Sequence, residues 1–287
     1  MRYVLMHVSD LHAGPPFNAT LAAKVAEEAH ERKPDLLVVS GDMVQRADFR
    51  KQWKVITAYL KSLPEPRLVV PGNHDVPLFN VFNRLFRPMV AYKRHISTNL
   101  TPVFERPGLM VVGGNTAHGW TSDGGYVRDE AMQAMEQAFQ RCPPDTCKVA
   151  VLHHHVVNPP GHEGRNKISN AAEVVQLLDR CRVDLLLCGH IHMSYVGNTL
   201  DVNNDLQSGT IICQSGTTTS RRGARREAGK NSYNIIVIED RTIRISQHLY
   251  LEQANRFEPV AEHLFPRRSG EVYVLPREER AVEDGTA

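Results

Sequence analysis

The sequence predicts an α/β chain in which two mixed β-sheets pack face to face, with helices on both outer faces. Three observations predict it. Short apolar runs rich in Val, Leu and Ile alternate with helical patterns over the first two thirds of the 287 residues. The runs are continuous rather than alternating, which suits strands covered on both sides. After residue 205 the helical patterns stop and consecutive strand-like segments follow. With 41% hydrophobic residues, a chain of this length can bury a full core without disulfides.

The runs are Tyr3–Val8, Leu36–Val39, Leu68–Val70, Leu109–Val112, Val149–Leu152 and Val183–Cys188. Between the first two lies a helix capped by Asn18 or Thr20, with Leu21, Val25 and Ala29 at helical spacing and Lys33-Pro34-Asp35 as its stop. A second helix is expected over 48–63, carrying Phe49, Trp53, Ile56 and Leu60 on one side. A third covers 130–140 and a fourth 170–181, where Asn170 and Glu173 have capping-box spacing. Thr210–Gln214, Tyr233–Glu239 and Thr242–Tyr250 read as late strands, the last two joined by a tight Asp240-Arg241 turn. The segment after Phe257 is rich in Pro, Arg and Glu. The domain is therefore placed at 1–256, and 257–287 is expected to be an extended arm or a partly disordered tail.

Basic and acidic residues nearly balance, 34 against 32, for a formal net charge of +2. That balance argues against a stable nucleic-acid complex, which needs a strong basic excess, but leaves room for a small anionic substrate drawn by a local field. Five cysteines without paired spacing fit free, mostly buried thiols in a reducing compartment. No leader pattern opens the sequence, and no apolar run approaches the roughly 18–20 residues of a membrane span. The expectation is a cytoplasmic protein with no membrane partner; a homo-oligomer is compatible with it.

Five polar segments each follow an apolar run: Asp10-Leu11-His12, Gly41-Asp42, Gly72-Asn73-His74-Asp75, His153-His154-His155 and Gly189-His190-Ile191-His192. Strand ends are where α/β folds gather ligand-binding groups. Asp, Asn and His together form a mixed nitrogen and oxygen donor set, suited to Mn, Fe or Zn. The glycines allow sharp turns and close approach. Singly, each segment has an ordinary explanation in turn chemistry or surface pairing; the ordered set points to a metal centre. His118 is a candidate to line a substrate pocket. The run Arg221, Arg222, Arg225, Arg226 is a candidate grip for phosphate or a nucleotide, against the default of a solvated loop. His162, near Pro159-Pro160, lies in a loop that could cap a pocket.

This ordered series resembles the calcineurin-like metallophosphoesterase superfamily over roughly residues 3 to 250. Within it the chain is most similar to the class III cyclic-nucleotide phosphodiesterase branch, through Gly72-Asn73-His74-Asp75, Leu152-His153-His154 and Gly216-Thr217-Thr218-Thr219-Ser220-Arg221. The resemblance implies the αββα sandwich and two metal ions per chain. Asp10, His12 and His192 would bind the first, Asn73, His153 and His190 the second, and Asp42 both. His153 is preferred as the first histidine after its strand, with His154 as the alternative. His74 would face the substrate, with Asp75 as its orienting partner, and if protonated would stabilise charge or protonate the leaving group. The implied enzyme is a hydrolase that cleaves phosphodiesters by attack of a metal-bridging hydroxide. Its expected substrates are cyclic nucleotides (3′,5′ or 2′,3′), with broad activity on other phosphate esters. A phosphomonoesterase or nuclease of the same superfamily is the alternative. Gly41–Ala47 resembles the protein-phosphatase segment Gly-Asp-x-Val-Asp-Arg-Gly but lacks its second Asp and last Gly. A metal-free scaffold should show substitutions among the ligands, and every ligand position here is filled.

Overall fold

In the computed structural model, which describes residues 1–121, 123–160, 167–201, 203 and 205–267, the apolar runs assemble into two six-stranded sheets. The first contains β1 (Arg2–Val8), β2 (Leu36–Val39) and β3 (Arg67–Val69), all parallel. The second contains β4 (Val103–Arg106), β5 (Leu109–Gly113), β6 (Cys147–Val151), β7 (Leu185–Cys188), β8 (Tyr195–Asn198) and β9 (Ile211–Gln214), in the order β4-β5-β6-β7-β9-β8. Its four inner strands are parallel, with β4 and β8 antiparallel at the edges. The chain then returns to the first sheet as β10 (Ser232–Glu239), β11 (Thr242–Leu251) and β12 (Arg256–Pro266), giving β12-β11-β10-β1-β2-β3.

Successive side chains on a strand point to opposite faces, and here both faces are buried. Leu36 and Val38 of β2 point between the sheets, where they join Val149 and Val151 of β6 and Leu185 and Leu187 of β7. Leu37 and Val39 point outward under α1 (Ala19–Arg32) and α2 (Arg50–Ser62), against Val25, Trp53 and Ile56. Ala150 and Leu186 pack outward under α5 (Asp129–Gln140) and α6 (Ala171–Arg180), against Met135, Phe139 and Leu178. The result is the expected αββα sandwich. Two short helices, α3 (Val81–Phe86) and α4 (Val90–His95), complete the elements between β3 and β4. All five cysteines are free thiols, four of them buried. Among the described residues no helix is long and apolar enough to cross a membrane.

Local chemistry explains the helix ends. Asn18 caps α1 by accepting from the Thr20 and Leu21 N–H groups, and Lys33 closes it at φ 47°. The capping box at α6 does not form. Asn170 instead exchanges hydrogen bonds with both backbone groups of Val127 and donates to Glu173. That satisfies the polar groups of a neighbouring loop rather than the helix terminus.

The expected arm begins inside the sheet. Arg256–Pro266 pairs antiparallel with β11 through a bulge at Gln247/His248. It is an edge strand with one side chain in the core, so it lacks an apolar run. Its prolines are tolerated because an edge strand need not donate every N–H. Phe257 is 4% exposed, with ring centroids 4.9 Å from Tyr233 and 5.3 Å from Tyr250. The remainder of the expected tail, 268–287, lies outside the described residues, as does His162. Phe257→Ala should cost about 3 kcal/mol of stability through the cavity it leaves, read as a lower urea midpoint at unchanged slope. A side chain in a detached arm would cost almost nothing.

Candidate metal centre

The five polar segments leave the C-terminal ends of β1, β2, β3, β6 and β7 and meet at one end of the sandwich. There the backbone takes an uncommon form. Nine non-glycine residues among those described have positive φ, and five of them are Asp10, His12, Asp42, His190 and His192. Left-handed backbone costs a non-glycine residue about 1 kcal/mol or more, and persists where the surroundings over-determine it. Here the strained residues are the candidate ligands.

Four side chains converge in a first cluster. His12 Nε2 lies 3.0 Å from His192 Nε2, 3.7 Å from Asp10 Oδ1 and 3.6 Å from Asp42 Oδ2, and His192 Nε2 is 3.2 Å from Asp10 Oδ1. Asp10 Oδ1 and Asp42 Oδ2 are buried without a hydrogen-bond partner. Ligands held about 2.1 Å from one ion stand roughly 3.0–3.4 Å from each other, the edge of an octahedron or tetrahedron. Lone pairs brought this close and cut off from water repel unless a cation lies among them. The donor set fits a metal ion.

A second cluster forms around His153, His154 and His190. His153 gives its Nδ1–H to the Ser40 carbonyl (2.7 Å), which points Nε2 at Asn73 Oδ1 (3.1 Å) and Asp42 Oδ1 (3.4 Å). Orientation by a backbone carbonyl is how metal-binding imidazoles are commonly fixed. His154 has Nδ1 on Thr116 Oγ1 (2.7 Å) and a buried, unpartnered Nε2, with its ring 4.5 Å from that of His190. Both adjacent histidines are therefore within reach of this cluster.

The electrostatics follow from burial among these groups. Burial opposes charge on Asp10, yet the His192 and His12 imidazoles hold its carboxyl well below the usual range. Asp42 is held low in the same way, against burial, by His153 and His74. Burial opposes charge on His153 too, but the Asp42 carboxylate takes its pKa up to about 9. Burial takes His12 down to about 3, which leaves its nitrogen free to act as a ligand.

Side chains from distant segments hold the loops. Thr217 Oγ1 donates to the Asp10 carbonyl (2.7 Å), Thr219 Oγ1 donates to the Leu11 carbonyl (2.9 Å), and the Ser9 N–H donates to Thr218 Oγ1 (3.1 Å). Ser9 Oγ and the His190 N–H both bind Asp10 Oδ2, which aims Oδ1 at the cluster. Gly72 has ordinary extended backbone, but a Cβ there would fall 2.2 Å from Asp42 Oδ1. The need is for space.

Three expectations need correction or relocation. Asp75 does not orient His74. Its carboxylate accepts from the N–H groups of Gly72, Met43 and Val44, and burial beside Asp42 pushes its pKa up to about 7 despite those donors. His74 is held by the Gln45 carbonyl at Nδ1 (2.8 Å), and Nε2 accepts from Arg222 Nη1 (3.0 Å). Arg46 Nη1 donates to the same carbonyl and stands 2.7 Å from His74 Nδ1. Arg221 is exposed and Arg225 likewise, so Arg222 alone of these three reaches the site. His118 stands outside both clusters, bonded to the Tyr126 carbonyl and stacked 4.7 Å from Trp120, where it lines a cavity of about 510 Å³. Gln45, Ser40 and Thr116 went unread because nothing in their local sequence marks them.

The family model described as calcineurin-like phosphoesterase matches residues 3–194. This chain belongs to that family. It is a metal-dependent hydrolase of phosphate esters, and its residue clusters fit the family's dinuclear centre. A protein of Pseudoalteromonas sp. (strain SM9913), named a probable cyclic nucleotide phosphodiesterase, is 25% identical over 203 residues, covering 67% of this chain and 72% of that one. A protein of Arcobacter nitrofigilis, named a probable glycerophosphodiester phosphodiesterase, is 29% identical over 168 residues, covering 56% of this phosphoesterase and 57% of the relative's length. Among solved structures, a dimetal phosphatase from Danio rerio shares the fold at a TM-score of 0.67 and 11% identity, covering 92% of this chain and 98% of that one.

Gly72→Ala should therefore empty the site while sparing the fold. Metal analysis of the purified variant is expected to give less than half the wild-type content, with an unchanged far-ultraviolet circular dichroism spectrum. Full metal content would mean that the Asp42 loop yields to the methyl group.

Proposed function

We propose that this phosphoesterase hydrolyses small phosphodiesters at a dinuclear centre of Mn, Fe or Zn, with cyclic nucleotides as the leading substrate class. The observation that carries the reading is Asp42. Its Oδ2 faces His12 of the first cluster and its Oδ1 faces His153 of the second, so one buried carboxylate serves both. Asp10, His12 and His192 would hold one ion; Asn73, His190 and His153 the other, with His154 able to take the place of His153. Bound there, two ions would polarise the phosphoryl group and supply a water acidic enough to attack near neutral pH.

The residues around the clusters would do the rest. Arg222 presents a guanidinium beside His74, whose ring meets that of His12 edge to face at 4.7 Å. Arg222 also donates to Gln45 Oε1 (3.1 Å), and a phosphate drawn to the ions would replace His74 and Gln45 as its acceptor, a charge-assisted pairing. His74, with Nδ1–H given to the Gln45 carbonyl, offers only an acceptor at Nε2 and so positions Arg222. Burial, together with Arg222 and Arg46, lowers its pKa even though Asp42 opposes them, which favours this neutral form. The two curated relatives both carry names of phosphodiesterases, one for cyclic nucleotides and one for glycerophosphodiesters, and so support a diester over a monoester.

Two experiments test the reading. In a panel of cyclic nucleotides, glycerophosphodiesters and monoesters assayed with metal-restored enzyme, cyclic nucleotides should be cleaved fastest. Asp42→Asn should lower the occupancy of both sites together; two full equivalents with undiminished turnover would remove the shared carboxylate. Separately, His74→Ala and Arg222→Ala should each retain metal and lose a similar factor, about tenfold to a hundredfold, the scale of a charge-assisted hydrogen bond. The loss should match for a nitrophenolate and a poor leaving group. A much larger loss on poor leaving groups would instead make His74 the proton donor.

A further inference from the structure

Helix α3 is inside out. A surface helix ordinarily turns its apolar stripe to the core. Here Val81, Phe82, Leu85 and Phe86 lie outward at 53% to 70% exposure, and no residue of the helix is buried. Leu78, Phe79 and Val90 extend the exposed surface on either side, and Phe49 adds a ring 6.0 Å from that of Phe79.

The presentation is braced. Asp48 accepts hydrogen bonds from the Leu78, Phe79 and Asn80 N–H groups, and Asn80 caps α3 through the Asn83 N–H. Arg84 turns inward and donates to the Pro77 and Thr121 carbonyls. These contacts spend the helix's polar groups on the protein body and hold the apolar side chains out. A contiguous apolar surface of this kind on a folded chain marks a contact site.

Charge identifies what it contacts. From Val76 to Phe104 the sequence has Arg84, Arg87, Lys93 and Arg94 and no Asp or Glu, four positive charges and none negative. The whole chain carries only +2. Arg87, Lys93 and Arg94 are exposed, as are Arg50, next to Phe49, and Arg128, which lines a cavity with Leu85 and Phe86; the carboxylates beside them are Asp48, held on the Leu78–Asn80 N–H groups, and Asp129 and Glu130. A two-fold contact with a second copy would set these cations against each other. An anionic bilayer surface answers both features: the Phe, Val and Leu side chains enter the headgroup boundary while the cations stay among the phosphates.

We propose that residues 78–90 dock this phosphoesterase on the surface of an anionic phospholipid membrane. The segment begins three residues after Asp75, on the same stretch of chain as Asn73 and His74. The expectation of no membrane partner rested on the lack of a spanning segment, and surface docking needs none. Binding can be measured without metal or turnover, so the proposal stands or falls apart from the substrate reading.

The test is co-sedimentation of the full chain with phosphatidylcholine vesicles, with and without phosphatidylglycerol. Binding should be at least about tenfold stronger to the anionic vesicles and should weaken as salt is raised. Val81→Asp with Phe82→Asp should abolish it while leaving hydrolysis of a soluble aryl phosphodiester unchanged. Both substitutions fall in the first turn of α3, where carboxylates suit the helix dipole, so the fold should survive. Arg87→Gln with Lys93→Gln should weaken binding by roughly tenfold to thirtyfold. No pelleting with anionic vesicles would overturn the proposal. So would a dimer in sedimentation velocity that the Val81/Phe82 variant converts to monomer without any vesicle binding, which would give the surface to a second copy.

Discussion

The structure turns on a crowding of acceptors. Oxygen and nitrogen atoms of Asp10, His12, Asp42 and His192 stand 3.0–3.7 Å apart in a buried space, with two carboxylate oxygens lacking any donor. A cation among them would satisfy all four groups at once, and the features that otherwise look costly become intelligible together. Five candidate ligand residues sit in left-handed backbone at the strand ends from which their side chains reach the clusters. Gly72 leaves room for the Asp42 carboxylate, and Asp75 is spent on three backbone N–H groups that shape the turn.

The sandwich makes the crowding possible. Parallel strands from two separate sheets end at the same edge, so short loops reach a common point without a long excursion. Each loop is then fixed by groups that do not face the clusters. The Ser40 carbonyl orients the His153 ring, Thr116 holds His154, and the Gln45 carbonyl holds His74. Positional precision at the centre thus comes from hydrogen bonds one layer out.

The candidate ligands were legible because Asp, Asn and His in that order after apolar strands are rare, and because strand ends follow from apolar runs. The sandwich was legible for the same reason. What escaped depended on space rather than sequence. Asp75 follows His74 directly, which invited a pairing, but neighbours in a tight turn point apart. The partner of His74 came from Arg222, 148 positions away. Strand β12 was hidden because an edge strand buries little, here Phe257 chiefly. Helix α3 was missed because its apolar residues serve the surface, the reverse of the pattern used to find helices.

The clasp on the Asp10 loop has a consequence for how the molecule is made. Thr217 and Thr219 lie 207 and 208 positions beyond the residues whose carbonyls they bind, and β1 takes β10 as one of its two neighbours. Synthesis runs from the N-terminus, so Asp10 and His12 leave the ribosome long before the hydroxyls and the strand that steady them. Asp42, Asn73 and His153 follow in turn, each waiting. The first-made of these candidate ligands are steadied last. A nascent chain that has not yet reached Thr219 and β10 would therefore present scattered, weak donors rather than a preformed trap, which would make any metal capture at these residues a late step.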